Sequence, residues 1–343
     1  MAPNNAPKIK DVARLAGVST ATVSRALSKP ESVAQKTRDA VLAAAAQSGY
    51  RINLSARNLR SNRTGAIIVL VPNLGNPFFS EILAGIESVT TTKGLSVLML
   101  DTKQSGSNPA FLFSYLQGAR ADGIISLDGT LPDSLLDNAE STVANLPTVF
   151  ACEWHHQDRF PSVRADNAQG ARLAVEHLIE LGHTKIGYVD GPAGNVLSQE
   201  RQAAMRSALK QAGVTPVEDW FLSGDFSLDA GVRAARALLD LPNRPTAMCC
   251  ANDETAFGLI SESHKQGIEV PGHLSVVGFD DIDICRRYIP PLTTIRQPRT
   301  SLGTTVAEML VARFENGEYQ QESLRNTLPV ELIIRESTAP PVQ

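Results

Sequence analysis

The sequence predicts an α/β protein with two parts: a small helical head and a large body built on parallel sheets. Three observations carry this. Residues 10–27 read as two short helices around a tight turn. From Ala66 onward, short apolar runs alternate with helix-length amphipathic segments, the pattern of βα units whose strands are covered on both faces. The third is a break in charge. The chain carries a net charge of −4, yet residues 1–63 hold 11 Lys and Arg against three acidic residues, a net of +8, leaving −12 on the rest. Such asymmetry fits a small phosphate-binding head on a body that keeps off nucleic acid.

Residues 1–7 are polar and proline-containing and predict no packed element. In the first helix Val12 and Ala16 share a face, and in the second Val23 and Leu27 do, each pair at i,i+4. Gly17 can end the first helix without a Cβ penalty, and the Ser19 hydroxyl can cap the second. The second helix then exposes Thr20, Ala21, Thr22, Ser24 and Arg25. These are small or hydrogen-bonding groups with one cation, where a solvated helix usually carries Glu and Lys. This suits insertion into a DNA major groove. After Pro30, a third helix is expected from about Ala34 to Ser48, with Val41, Leu42 and Ala45 inward and Gly49 stopping it. Residues 50–63 hold four arginines and no acid, a polar linker with helical potential.

In the body the expected strands are Ala66–Val71, Leu95–Leu100, Gly123–Leu127, Thr148–Ala151, Ile186–Val189, Ala247–Ala251 and Leu274–Phe279. Helices are expected near residues 79–93, 168–182, 199–212, 229–240, 254–266 and 301–316. About 280 residues exceed one comfortable doubly wound domain, so two sheets are expected. No internal repeat is visible. Composition is that of an ordinary globular chain, with 43% hydrophobic and 20% charged residues. Cys152, Cys249, Cys250 and Cys285 show no metal or redox spacing and read as buried thiols. Without an N-terminal apolar segment or a membrane-length apolar run, a cytoplasmic location is expected.

Residues 1–27, and V-S-T-A-T-V-S-R-A-L within them, resemble the helix-turn-helix of the LacI/GalR family of bacterial transcription regulators, and the resemblance continues along the chain. It implies a three-helix DNA-binding head over 1–50, a hinge over 51–63, and an effector-binding and dimerisation domain over 64–343. That domain would have the two-lobed fold of periplasmic sugar-binding proteins, with one lobe from about 64–162 and 292–325 and the other from about 163–291 and 326–343. Matched to the motif, Thr20, Ala21 and Arg25 fall where base edges are read. An arginine there can donate two bonds to guanine O6 and N7, while Ser19, Thr22 and Ser24 suit phosphate oxygens. Asn53-Leu-Ser-Ala-Arg57-Asn-Leu59-Arg60 matches the family's hinge helix, with Leu59 at the position of a minor-groove wedge. Two departures stand out: Lys8 replaces the usual Thr cap of the first helix, and Ile52 replaces the hinge proline.

Ligands of open α/β sheets bind outside the carboxyl ends of the strands. Asn76-Pro77-Phe78-Phe79, Asn252-Asp253 and Asp280 lie just there. A second resemblance, to the pockets of ribose-binding proteins and ribose- or nucleoside-responsive regulators, covers Asn76, Phe78, Phe79, Arg201, Phe226, Asn252, Asp280 and Gln297. It implies a monosaccharide or nucleoside effector, ribose-like compounds ahead of hexoses, other pentoses and their phosphates. Asn195 stands where purine-responsive members carry an arginine, which disfavours a free purine base. The expected partners are double-stranded operator DNA, this effector and a second copy of the chain, with a tetramer left open. Relief of repression is expected, although a corepressor would be the opposite sign of the same coupling. No phosphate-binding G-x-x-x-x-G-K-S/T loop, G-x-S-x-G elbow or strand-linked G-x-G-x-x-G is present, so neither catalysis nor a cofactor is expected. Asp280, Asp281, Asp283, His155 and His156 lack the spacing of a metal site and read as loop surface. A transport-type sugar receptor would share the body but has no use for a basic helix-turn-helix.

Overall fold

A computed structural model describes residues 7–28, 30–50, 64–105, 121–136, 146–319 and 324–342. The chain divides into two compact units, Met1–Gly65 and Ala66–Gln343.

The first unit holds α1 (Ile9–Ala16), α2 (Thr20–Ser28) and α3 (Gln35–Ser48) around Val12, Ala13, Val23, Ala26, Val41 and Ala44. Gly17 and Gly49 close α1 and α3 with φ of 64° and 67°, the left-handed conformation that glycine adopts without steric cost. Lys8 cannot accept a hydrogen bond through its ammonium. The Asp11 carboxylate compensates by accepting the Lys8 backbone N–H at 2.9 Å. One inward assignment is corrected: Leu42 is half exposed and Ala44 takes its place in the core. From Val41, a step of three returns to the same helix face, whereas a step of one turns about 100° away.

The second unit contains two six-stranded sheets. The first uses β1 (Ala66–Val71), β2 (Ser96–Asp101), β3 (Gly123–Ser126), β4 (Thr148–Ala151), β5 (Ser162–Ala165) and β11 (Arg325–Leu328), in the order β11-β5-β4-β3-β1-β2. The second uses β6 (Ile186–Val189), β7 (Phe221–Leu222), β8 (Ala247–Cys250), β9 (Ser275–Asp280), β10 (Thr293–Arg296) and β12 (Glu331–Ile333), in the order β12-β10-β9-β8-β6-β7. All pairings are parallel except that of β10 with β12. The helices longer than about one turn are α4 (Phe78–Thr92), α5 (Asn167–Glu180), α6 (Val196–Gln211), α7 (Leu228–Asp240), α8 (Asp253–Lys265) and α9 (Arg299–Asn316).

The chain passes between sheets after β5, after β10 and after β11. Each passage falls a few residues beyond the limits expected at 163, 292 and 326. The strands responsible read Ser-Val-Arg-Ala, Thr-Thr-Ile-Arg and Arg-Asn-Thr-Leu, too polar to stand out as buried strands. Within each lobe one helix pair meets at glycines. Gly85 of α4 and Gly303 of α9 each approach the other helix's backbone so closely that a Cβ would collide with it, as do Gly231 of α7 and Gly258 of α8.

Candidate DNA-reading helix and effector cavity

In the head, the Ser19 hydroxyl accepts the Thr22 backbone N–H at 3.1 Å and lies 2.9 Å from the Thr22 hydroxyl. Both oxygens therefore close the start of α2. Thr20, Ala21 and Arg25 are exposed, Thr22 and Ser24 half-buried, while Val23 and Ala26 face the core. Arg25 makes no ion pair among the described residues, so its guanidinium is available to a partner. Asn53, Arg57, Leu59 and Arg60 lie outside the described residues.

In the body, a cavity of about 610 Å³ opens where strands of both sheets end, and all eight residues expected at the effector site line it. Asn76 accepts the Phe78 N–H at 2.8 Å, starting α4 so that Phe78 and Phe79 meet edge to face at 5.1 Å. Arg201 projects from α6. Its Nε donates to Asn167 Oδ1 at 2.8 Å, its Nη1 donates to the Ala251 carbonyl at 2.6 Å, and its guanidinium stacks 3.7 Å from the Phe279 ring centre. No acceptor among the described residues takes Nη2, which leaves a nearly buried cation with donors to spare. Asn252 caps α8 by accepting the Thr255 N–H at 3.0 Å and donates to the Phe226 carbonyl at 2.9 Å.

Asp280 is buried and accepts from Gln297 Nε2 at 2.7 Å. Burial, then the neighbouring Asp253 charge, hold its carboxyl well above the usual carboxylate range. Its backbone sits at φ 132° and that of Asp281 at φ 55°, conformations that side chains rarely adopt and that cost roughly 1–3 kcal/mol each. The surroundings hold them there. Asp281 accepts from Arg296 at 2.7 Å and Arg335 at 2.6 Å, and Arg299 donates to its carbonyl at 3.1 Å. Phe226, at φ 62°, packs on Gly191, where any Cβ would strike its ring.

Reading from sequence missed two acids on the wall of the first sheet, Asp128 after β3 and Glu153 after β4. Both follow apolar runs directly, the same positional signal that marks Asn252 and Asp280. Glu153 accepts the Gly129 N–H at 2.8 Å and Asn195 Nδ2 at 2.9 Å. Burial, then the Asp128 charge, push its carboxyl up to about 7. Asp128 accepts from the Thr130 N–H at 2.8 Å and hydroxyl at 2.6 Å, and from the Thr102 hydroxyl. Asn195 caps α6 through the Leu197 N–H at 2.9 Å, so its single side chain joins the second lobe to Glu153 of the first.

The reading of five acids and histidines as loop surface needs correction for three of them. Asp280 and His155 are buried and the Asp281 side chain is nearly so: the two aspartates close the strained turn, and His155 packs against Phe150 and Phe160 with Nε2 2.9 Å from Asp133.

Comparison with known proteins decides the class. Residues 8–53 match bacterial regulatory proteins of the lacI family, and residues 175–338 match the periplasmic binding protein-like domain. The HTH-type transcriptional repressor CytR of Escherichia coli K12 is 38% identical over 334 residues, covering 97% of this chain and 96% of that protein. The chain belongs to the LacI family. The HTH-type transcriptional repressor PurR of Photobacterium profundum is 36% identical, covering 96% of this chain and 98% of its own. The structure of the lac repressor dimer bound to operator and the anti-inducer ONPF superposes with a TM-score of 0.80 at 32% identity, covering 97% and 99% of the two chains. A LacI-family regulator from Enterococcus faecium with bound ribose gives 0.69 at 30% identity, covering 80% and 99%. This LacI-family chain is thus a DNA-binding transcriptional regulator with a periplasmic-binding-protein-like effector domain. No helix among the described residues is long and apolar enough to cross a membrane.

Proposed function

We propose that this protein is a cytoplasmic repressor of carbohydrate or nucleoside catabolic genes. It binds a pseudo-palindromic operator as a homodimer and is released by a small sugar-type effector, ribose-like or nucleoside. Residues 1–50 serve as the DNA-reading head, 51–63 as the hinge and 64–343 as the effector and dimerisation domain. The observation that carries the effector reading is the cavity at the strand ends. It sets flat faces, Phe78, Phe79 and Phe226, beside a donor fork on Arg201 and an acceptor on Asp280. Ring hydroxyls need matched donors and acceptors and sugar C–H surfaces need flat apolar faces.

On DNA, Arg25 supplies the strongest base contact, worth about 1–3 kcal/mol against a wrong base. Thr20 and Ala21 complete the readout, and the Ser19, Thr22 and Ser24 hydroxyls sit at phosphates. Asn53, Arg57 and Arg60 contact the backbone at the hinge, with Leu59 as the wedge. Effector and operator affinity are linked, so each ligand changes the other's binding by one shared factor.

Selection of operators from a random duplex library by the full chain tests the DNA half. The expected product is one palindrome, with affinity falling steeply as salt rises and Arg25→Ala relaxing one position in each half-site. A flat salt response or an Arg25→Ala protein with unchanged preference refutes the assignments. Calorimetry with pentoses, nucleosides and hexoses tests the other half, and binding by no ribose-containing compound refutes the effector class. Tighter operator binding with effector would make it a corepressor.

A further inference from the structure

The loops that follow β3 and β4 pack against each other, so closely that a Cβ on Gly129 would strike the Trp154 carbonyl. Beyond that contact three metal-ligating side chains converge. Asp133 opens a single helical turn, Asp133–Leu136, and His155 and His156 follow β4. In sequence the two histidines are merely adjacent, with no third ligand at a metal-site spacing. The fold supplies it. A turn in which the Asp158 N–H donates to the His155 carbonyl at 2.7 Å sets the two imidazoles side by side, 4.3 Å between ring centres. One ligand atom from each of the three residues then lies within 4.8 Å of the other two. None of the three lines the effector cavity.

The geometry is not that of a hydrogen-bonded histidine–aspartate pair. His155 is 1% exposed, and its Nε2 stands 2.9 Å from Asp133 Oδ1. The two atoms are not aligned for a hydrogen bond: neither has such a partner among the described residues, although both are buried. On the other side, His156 Nε2 stands 3.6 Å from Asp133 Oδ2, too far for one. Two atoms bound to one zinc ion stand roughly 3.3 Å apart, given bonds of about 2.0–2.2 Å in a tetrahedron, and they point at the ion rather than at each other. The two distances here fall on either side of that value. Gln157 Nε2 donates to Asp133 Oδ2 at 3.2 Å and orients the carboxylate, while Phe150 and Phe160 hold the His155 ring. Two contacts oppose a cation, and both are long. The Gln157 N–H reaches His155 Nδ1 at 3.4 Å, and the Arg159 guanidinium approaches Asp133 Oδ1 at 3.7 Å. A metal on Nε2 moves the ring proton to Nδ1 and forfeits the first of these. In return, two buried atoms gain the partner they lack.

We propose that Asp133, His155 and His156 form a binding site for a divalent late first-row transition metal, with zinc as the reference ion. Two imidazoles and one carboxylate suit zinc, cobalt or nickel, whereas magnesium and calcium take oxygen ligands. Three protein ligands leave the fourth position to water. The ion ties the loop after β3 to the loop after β4. Because the unfolded chain does not bring these loops together, binding stabilises the fold by mass action.

The test is calorimetry with zinc chloride, and separately magnesium chloride, on the full chain freed of metal by a chelator. One zinc ion per chain should bind at this site, magnesium should not, and saturating zinc should raise the midpoint of urea unfolding. His156 is exposed, so His156→Ala keeps the fold. It should weaken zinc binding tenfold or more and abolish the midpoint shift, and Asp133→Asn should do the same. Cobalt bound in place of zinc absorbs visible light, and both variants should lose that band. His264→Ala, at another exposed histidine, should change none of these readings. The site is overturned by any of four results: no zinc binding, equal binding of magnesium, unchanged zinc affinity in either folded ligand variant, or loss of the ion in His264→Ala.

Discussion

The two sheets of the body are built to one plan and face the cavity with different chemistry. Each runs second strand, first, third, fourth, fifth and then a late strand brought back by a crossing. Each lobe also has a helix pair closed at two glycines. The first sheet offers acceptors, Asp128 and Glu153, beside Phe78 and Phe79. The second offers a cation, Arg201, with Asp280, Gln297 and the ring of Phe226, and two of these lining residues sit at positive φ, Phe226 and Asp280. The likeness lies in elements that bury apolar surface, and the difference lies in the loops that follow the strands. The scaffold therefore constrains where a ligand can bind, and the loop side chains determine what binds.

The sharpest break of this contrast is Arg201→Met. It removes the cation from the second wall, the donors of Asn167 Oδ1 and the Ala251 carbonyl, and the stack on Phe279. Leaving buried acceptors unpaired costs about 1–3 kcal/mol each. The variant should lose about 3–5 kcal/mol of stability, read by urea unfolding, and all measurable effector binding. Retained binding would show that the second wall is not the donor wall. The first wall is tested by pH. In the folded protein Glu153 holds its proton up to about pH 7, whereas an unfolded glutamate releases it near 4.5. Folding therefore binds a proton between these values. The stability this gives is present below about pH 4.5 and lost as pH rises to 7. Glu153→Gln removes the group, so the variant should gain on the natural protein by about 3 kcal/mol between pH 4.5 and pH 8. A constant difference would show that Glu153 is ionised throughout.

What the sequence makes legible divides along the same line. Ala-Ile-Ile-Val-Leu-Val of β1 and Ala-Met-Cys-Cys of β8 announce buried strands because apolar side chains fill both faces. β5, β10 and β11 do not, since Arg164, Thr293, Thr294 and Asn326 interrupt the apolar signal, and β7 has only two residues. The matching strand order of the sheets has no counterpart as a repeat, because packing constrains volume and polarity more than residue identity. At the cavity, Asn76, Arg201 and Asp280 were legible through their motifs. Asp128 and Glu153 carry the same strand-end position without one. Their importance comes from burial and from each other, and neither property is a local pattern.

The shared plan itself is open to a gentler test. A Cβ on Gly258 would collide with the Leu228 carbonyl, and one on Gly303 would collide with the Ile82 carbonyl. Both obstacles are backbone atoms within packed helices, so relief requires the helices to separate rather than a side chain to rotate. Overpacking of this kind costs about 1–3 kcal/mol. Gly258→Ala and Gly303→Ala should each lower stability within that range and by similar amounts, as read from the midpoints of urea unfolding. If the two closures are equivalent, swapping which lobe carries the extra methyl leaves the midpoint nearly unchanged. If one variant loses several-fold more than the other, the likeness stops at strand order and the two lobes are packed on different terms.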